Sequence, residues 1–121
     1  MNLGHTVGHA FESWSLKRKP CLHGFAVAWG LVCELYLSWV RFGFDKLILD
    51  RIVNFVLSKY GKLSISENDL EELYEFMTHD KKNSNGIINF TLLGGVGDIR
   101  INQEVTMSEI FEMLSYYIHL K

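Results

Sequence analysis

The sequence predicts a mainly α-helical domain with one small β-hairpin, on three observations. Apolar residues recur at helical spacing through five segments. Strand-like alternation is confined to one stretch, Ile88 to Asn102. Helix-start signals stand at Ser66 and Thr106, each followed three residues later by an acid. At 121 residues, 48% hydrophobic and 21% charged, the chain has the size and composition of one domain around one core, read here as residues 1–121.

The first helix is expected from about Gly4 to Trp14, with Val7, Ala10, Phe11 and Trp14 as its apolar stripe. Gly4 and Gly8 cost about 1 kcal/mol each relative to alanine in a helix interior. Two glycines four apart therefore point to a close approach by a ligand or another helix. A polar connection from Ser15 to Cys21, carrying the only proline, Pro20, leads to the second helix, about Gly24 to Val40. Its residues are apolar nearly all round, as in a central, buried helix, and Phe42-Gly43-Phe44 ends it. The third helix spans about Asp45 to Tyr60, with Leu49, Ile52, Val53 and Val56 inward and Gly61 as its C-terminal cap. The fourth starts at Ser66, where Ser66 and Asp69 form a capping box and Ile65 and Leu70 a hydrophobic staple. Lys81 to Gly86 is a polar turn. Ile88, Phe90 and Leu92 then alternate with polar residues, Gly94 to Asp98 turns, and Ile99 to Asn102 alternates again. Thr106 and Glu109 box the last helix, with Ile110, Phe111, Leu114 and Ile118 inward.

A net charge of −2 gives no footprint for nucleic acid, and the one basic run, Lys17-Arg18-Lys19, reads as a solvated loop. Cys21 and Cys33 form neither a CxxC pair nor a disulfide framework, which fits reduced thiols and a cytoplasmic location. No secretory signal is visible. The segment Phe25 to Val40, interrupted by Glu34, reads as too short and too polar to span a membrane.

Three of the five histidines fall in the first 23 residues. His5 and His9 are four apart and so share a helix face, Glu12 lies three beyond His9, and His23 stands where the second helix begins. Imidazole suits zinc and similar divalent ions, and a catalytic zinc site needs three protein ligands and an open position. The bland alternative is a set of ordinary helical histidines. The pattern is not HExxH, because Thr6 follows His5, so a metalloprotease base is missing. Lys81 and Lys82 could meet a phosphate or carboxylate, or could be a solvated turn. Gly94 to Gly97 lacks the phosphate-loop pattern, and no GxGxxG occurs, so no Rossmann dinucleotide turn is present.

The run Asn2-Leu3-Gly4-His5-Thr6-Val7-Gly8-His9-Ala10-Phe11-Glu12, then Leu22-His23-Gly24 and Ala26-Val27-Ala28-Trp29-Gly30, closely resembles the C-terminal domain of the 3-dehydroquinate synthases. Asp80-Lys81-Lys82, followed by Phe90-Thr91-Leu92-Leu93 and Val96-Gly97, matches that family's second block in order and distance. The resemblance thus covers nearly the whole chain. It implies a multi-helical, metal-binding domain of an enzyme that converts 3-deoxy-arabino-heptulosonate 7-phosphate, a sugar-acid phosphate, to 3-dehydroquinate and phosphate in the shikimate pathway. It implies zinc or cobalt as a Lewis acid and NAD as a transient oxidant, bound mainly by an N-terminal domain that this chain does not include. It also implies a homodimer as the complete enzyme. Carried over by position, His5 and His23 are the metal ligands, His9 is the catalytic histidine beside the substrate, and Asn2 with Lys81 or Lys82 contacts the substrate.

Three departures from the family pattern stand out. Phe25 replaces a glutamate common after His-Gly, the connection from Glu12 to His23 is longer than in some members, and the NAD-binding half with its glutamate ligand is absent. The resemblance therefore implies a truncated chain that is inactive by itself. Another sugar-phosphate cyclase of the same superfamily, and a stand-alone helical metal-binding or interaction module, are the alternatives.

Overall fold

The computed structural model describes residues 3–79 and 87–120. Its elements are α1 (His5–Leu16), α2 (His23–Phe42), α3 (Lys46–Tyr60), a 3₁₀ turn (Glu67–Asp69), α4 (Leu70–Thr78), β1 (Ile88–Gly95), β2 (Asp98–Val105) and α5 (Met107–Ile118). α2 is the hub. It touches α1, α3, α5 and β1, and its Ala26, Val32, Cys33, Leu35 and Leu37 are buried. The helix is 20 residues long, longer than the sequence suggested, and by length and composition alone it could cross a membrane. Its cover of helices and hairpin, not its length, makes it a core helix.

The helix ends follow from local chemistry. Asp45 caps α3 by accepting from the Leu47 N–H at 2.9 Å. Ser66/Asp69 and Thr106/Glu109 both form the reciprocal capping boxes read from sequence. The first box leads into one 3₁₀ turn, so α4 proper starts four residues later than expected. Burial alone would raise the Glu109 carboxyl. Hydrogen bonds from Thr106 and Arg41, with the guanidinium's charge, outweigh that and hold it below its ordinary range. Gly43, left-handed at φ 73°, ends α2.

The hairpin is antiparallel and carries register irregularities between Phe90 and Leu92 and between Leu93 and Gly95. β1 buries Ile88, Phe90 and Leu92 against α2, and Leu93 N–H donates to Ser38 Oγ at 2.9 Å. The alternation in β2 does not bury a face: Ile99 and Ile101 are exposed. The reason is layering, because β1 meets the helices and β2 forms the outer strand of a two-stranded sheet. The polar turn from Lys81 to Gly86 lies outside the described residues.

The crossing of α1 and α2 is unusually close. A Cβ on Gly30 would collide with Gly4 O and lie 2.6 Å from Gly8 N. One on Gly8 would lie 3.1 Å from Ala26 O. The approach that the paired glycines implied is therefore by a helix. Each helical glycine costs about 1 kcal/mol, less than the roughly 1.5–3 kcal/mol gained by burying one large apolar side chain. Gly30→Ala is expected to destabilise the chain by about 2–4 kcal/mol in urea denaturation. Gly24→Ala, where nothing lies within 4 Å, should stay within about 0.5 kcal/mol. Equal effects at the two sites would contradict the close crossing.

Candidate functional site

The first turn of α1 is held from α2. Gly4, left-handed at φ 81°, has no side chain with which to cap the helix. Glu34, wholly buried in α2, takes that role: its carboxylate accepts from Gly4 N–H at 2.8 Å and Val7 N–H at 3.2 Å. These are orphan donors at the positive end of a helix, where a buried carboxylate is best placed. Thr6 Oγ1 reaches the Asn89 carbonyl at 3.5 Å, tying the same turn to β1. His5 follows Gly4 directly, so its backbone is fixed by this contact.

The three early histidines come together. Ring centres lie 5.7 Å apart for His5 and His9, 5.8 Å for His5 and His23, and 6.2 Å for His9 and His23. His9 is exposed and stands edge-on to His5. His23 opens α2 and its Nδ1 lies 2.9 Å from Glu12 Oε1. His5 Nδ1 lies 3.2 Å from the Leu3 carbonyl. A carboxylate and a carbonyl can only accept, so both imidazoles donate from Nδ1, which in the neutral ring leaves the lone pair at Nε2. This is the arrangement in which histidine binds a metal, with the other nitrogen held by an acceptor. Two imidazoles sharing one ion at about 2.1 Å place their ring centres roughly 5–6 Å apart, a spacing that both His5–His23 and His5–His9 meet.

Among the described residues no three His, Cys, Asp or Glu side chains converge into a full ligand set. The two cysteines offer no help. Both are free, and burial, with Glu34 beside it, pushes the Cys33 thiol well up, so it stays protonated. Asn2, Lys81 and Lys82, the expected substrate contacts, lie outside the described residues. Two contributors carry no role in the sequence pattern: Glu12 shares the histidine face, and Glu34 interrupts an apolar helix. A lone carboxylate inside an apolar helix was the available signal, because a buried charge requires donors.

Comparison with known proteins adds the family. The family model for the 3-dehydroquinate synthase C-terminal domain matches residues 1–83. The chain belongs to the 3-dehydroquinate synthase family. A 3-dehydroquinate synthase of Parabacteroides distasonis is 55% identical over 118 residues, covering 97% of this chain and 33% of that protein. One of Campylobacter jejuni is 35% identical over 94% of this chain and 32% of its own length. The chain thus spans about a third of the length of the synthases it matches. In fold it resembles 2-deoxy-scyllo-inosose synthase, solved with carbaglucose-6-phosphate, NAD+ and Co2+, at TM-score 0.73 and 22% identity, over 96% of this chain and 33% of that one. Phe25, which follows His23-Gly24, packs its ring on Tyr60 at 4.8 Å and Trp29 at 6.0 Å.

If Glu34 fixes the site, Glu34→Leu should cost about 3–5 kcal/mol in denaturant unfolding, since it strands two buried donors. Glu34→Gln should cost about half as much, because its amide oxygen still accepts. A Glu34→Leu chain as stable as the parent would refute this role.

Proposed function

We propose that this domain supplies the metal- and substrate-binding wall of a 3-dehydroquinate synthase, with His5 and His23 as metal ligands and His9 as the catalytic histidine. The observation that carries this reading is the histidine cluster with both Nδ1 atoms engaged, at Leu3 O and Glu12, and both Nε2 atoms left as donors to an ion. When bound, a divalent ion such as zinc or cobalt supplies Lewis-acid polarisation of substrate oxygens and NAD supplies a reversible oxidation.

The chain's own residues have distinct tasks in this reading. Glu12 holds the His23 ring in orientation and tautomer. Glu34 and the glycine crossing hold His5. His9, exposed at the lip of the cluster, accepts or returns a proton at a substrate oxygen, as an imidazole can. Asn2 and the lysines of Asp80-Lys81-Lys82 bind the anionic groups of a sugar-acid phosphate. The third ligand and the NAD site belong to another part of the enzyme, a division supported by the one-third coverage and the lack of a third ligand among the described residues. The complete enzyme works in the cytoplasm as a homodimer in this proposal. The rival reading, another sugar-phosphate cyclase, has only a fold likeness at 22% identity behind it.

Cobalt titration followed by absorption and calorimetry tests the assignment. His5→Ala and His23→Ala should each abolish Co2+ binding, and His9→Asn should leave it within about twofold. Glu12→Gln should weaken it about 10–100-fold, the usual cost of losing a carboxylate behind a ligand histidine. Loss of binding in His9→Asn with retention in His23→Ala would reverse the roles. Incubated with NAD, Co2+ and the heptulosonate phosphate, the chain alone should form no dehydroquinate; measurable product would contradict the division of labour.

A further inference from the structure

We infer that a second cavity, between the α1–α2 connection and the segment after α3, binds a small flat anion: a molecule with an aromatic or similarly apolar body and a carboxylate or sulfonate edge. The cavity has a volume of about 580 Å³, within the roughly 300–1,000 Å³ of small-molecule sites. None of His5, His9 or His23 lines it, so it is distinct from the site above.

Its walls are of two kinds. Trp14, Phe25, Trp29 and Tyr60 make an aromatic slot, with Phe25 edge-on to both Trp29 and Tyr60. The slot is preformed, because Trp29 Nε1 donates to Gly61 O at 2.9 Å and Arg18 lies 4.1 Å over the Trp14 ring. The charged lining is all positive: Arg18, Lys19 and Lys62, with no Asp or Glu. Glu72 answers Arg18 at 3.1 Å. Lys62 donates to the Ile118 and Leu120 carbonyls, which do not cancel its charge. Lys19 has no carboxylate partner among the described residues. Two lysines lining an aromatic slot, with no carboxylate partner among the described residues, favour an anion with an apolar body.

Trp14, 7% exposed, keeps its indole N–H buried with no acceptor among the described residues, and its ring forms one wall of the slot. Phe25 lines the slot with an apolar ring, and the α1–α2 connection contributes Lys19.

Proton–nitrogen correlation spectra of the three tryptophan indoles, assigned by Trp→Phe variants, test this with 2-naphthoate as the probe. The Trp14 and Trp29 signals should shift saturably while Trp39, which is outside the slot, does not. The neutral analogue 2-naphthalenemethanol, and the Lys19→Ala/Lys62→Met chain with naphthoate, should each bind about tenfold more weakly. Phe25→Glu should abolish the shifts. Phe25→Leu should keep them with affinity reduced severalfold, and it serves alone if Phe25→Glu fails to fold. No saturable shift, an equal shift of Trp39, equal affinity for the neutral analogue, or undiminished binding by folded Phe25→Glu would each overturn the inference.

Discussion

A buried carboxylate at the end of a helix governs this domain. Glu34 sits without solvent in the middle of the most apolar helix, and it is tolerable there because Gly4 and Val7 present the unpaired N–H groups of the start of α1. The pairing works only if the two backbones lie almost in contact, and Gly4, Gly8 and Gly30 remove the side chains that would prevent it. Sequence, packing and site meet at this point. The glycines flank His5 and His9, the carboxylate fixes the turn that carries His5, and α2 begins with His23. Helix propensity is sacrificed at Gly8 and Gly30 for an interhelical distance that brings three imidazoles within about 6 Å.

The rest of the fold braces that crossing. Ser38, one turn beyond Glu34, donates to the Glu34 carbonyl and accepts from Leu93 N–H, so the hairpin is tied to the same stretch of α2. Tyr117 accepts from Leu63 N–H at 2.7 Å, joining α5 to the segment after α3, and its burial raises the phenol far enough that it remains a neutral partner. The other face of the α1–α2 connection is aromatic and basic. One connection thus has a histidine at its end and a tryptophan-lined cavity along its length.

Most of the fold was legible in the sequence because its signals are local. Capping boxes at Ser66 and Thr106, the glycine stops at Gly43 and Gly61, and helical periodicity each depend on a few neighbouring residues. What the sequence hid is tertiary. Ile99 and Ile101 alternate like a buried strand, yet which strand of a hairpin faces the helices depends on the layer beyond it. Glu34 and Glu12 act on partners 30 and 11 residues away, and no periodicity announces such pairs. The histidine motif carried the family resemblance, which the matched family bears out, while the roles given to its members rest on that resemblance alone and their geometry comes from the crossing.

In the proposed reading the crossing presents His5 and His23, through Nε2, to one ion, and long-range proton–nitrogen NMR of the imidazoles measures this directly. The account predicts the Nδ1–H tautomer for His5 and His23 in the metal-free chain and, on adding Zn2+, large shifts at Nε2 of those two rings with His9 little changed. Nε2–H tautomers at either ligand position, or zinc shifts at His9 without shifts at His23, would contradict it.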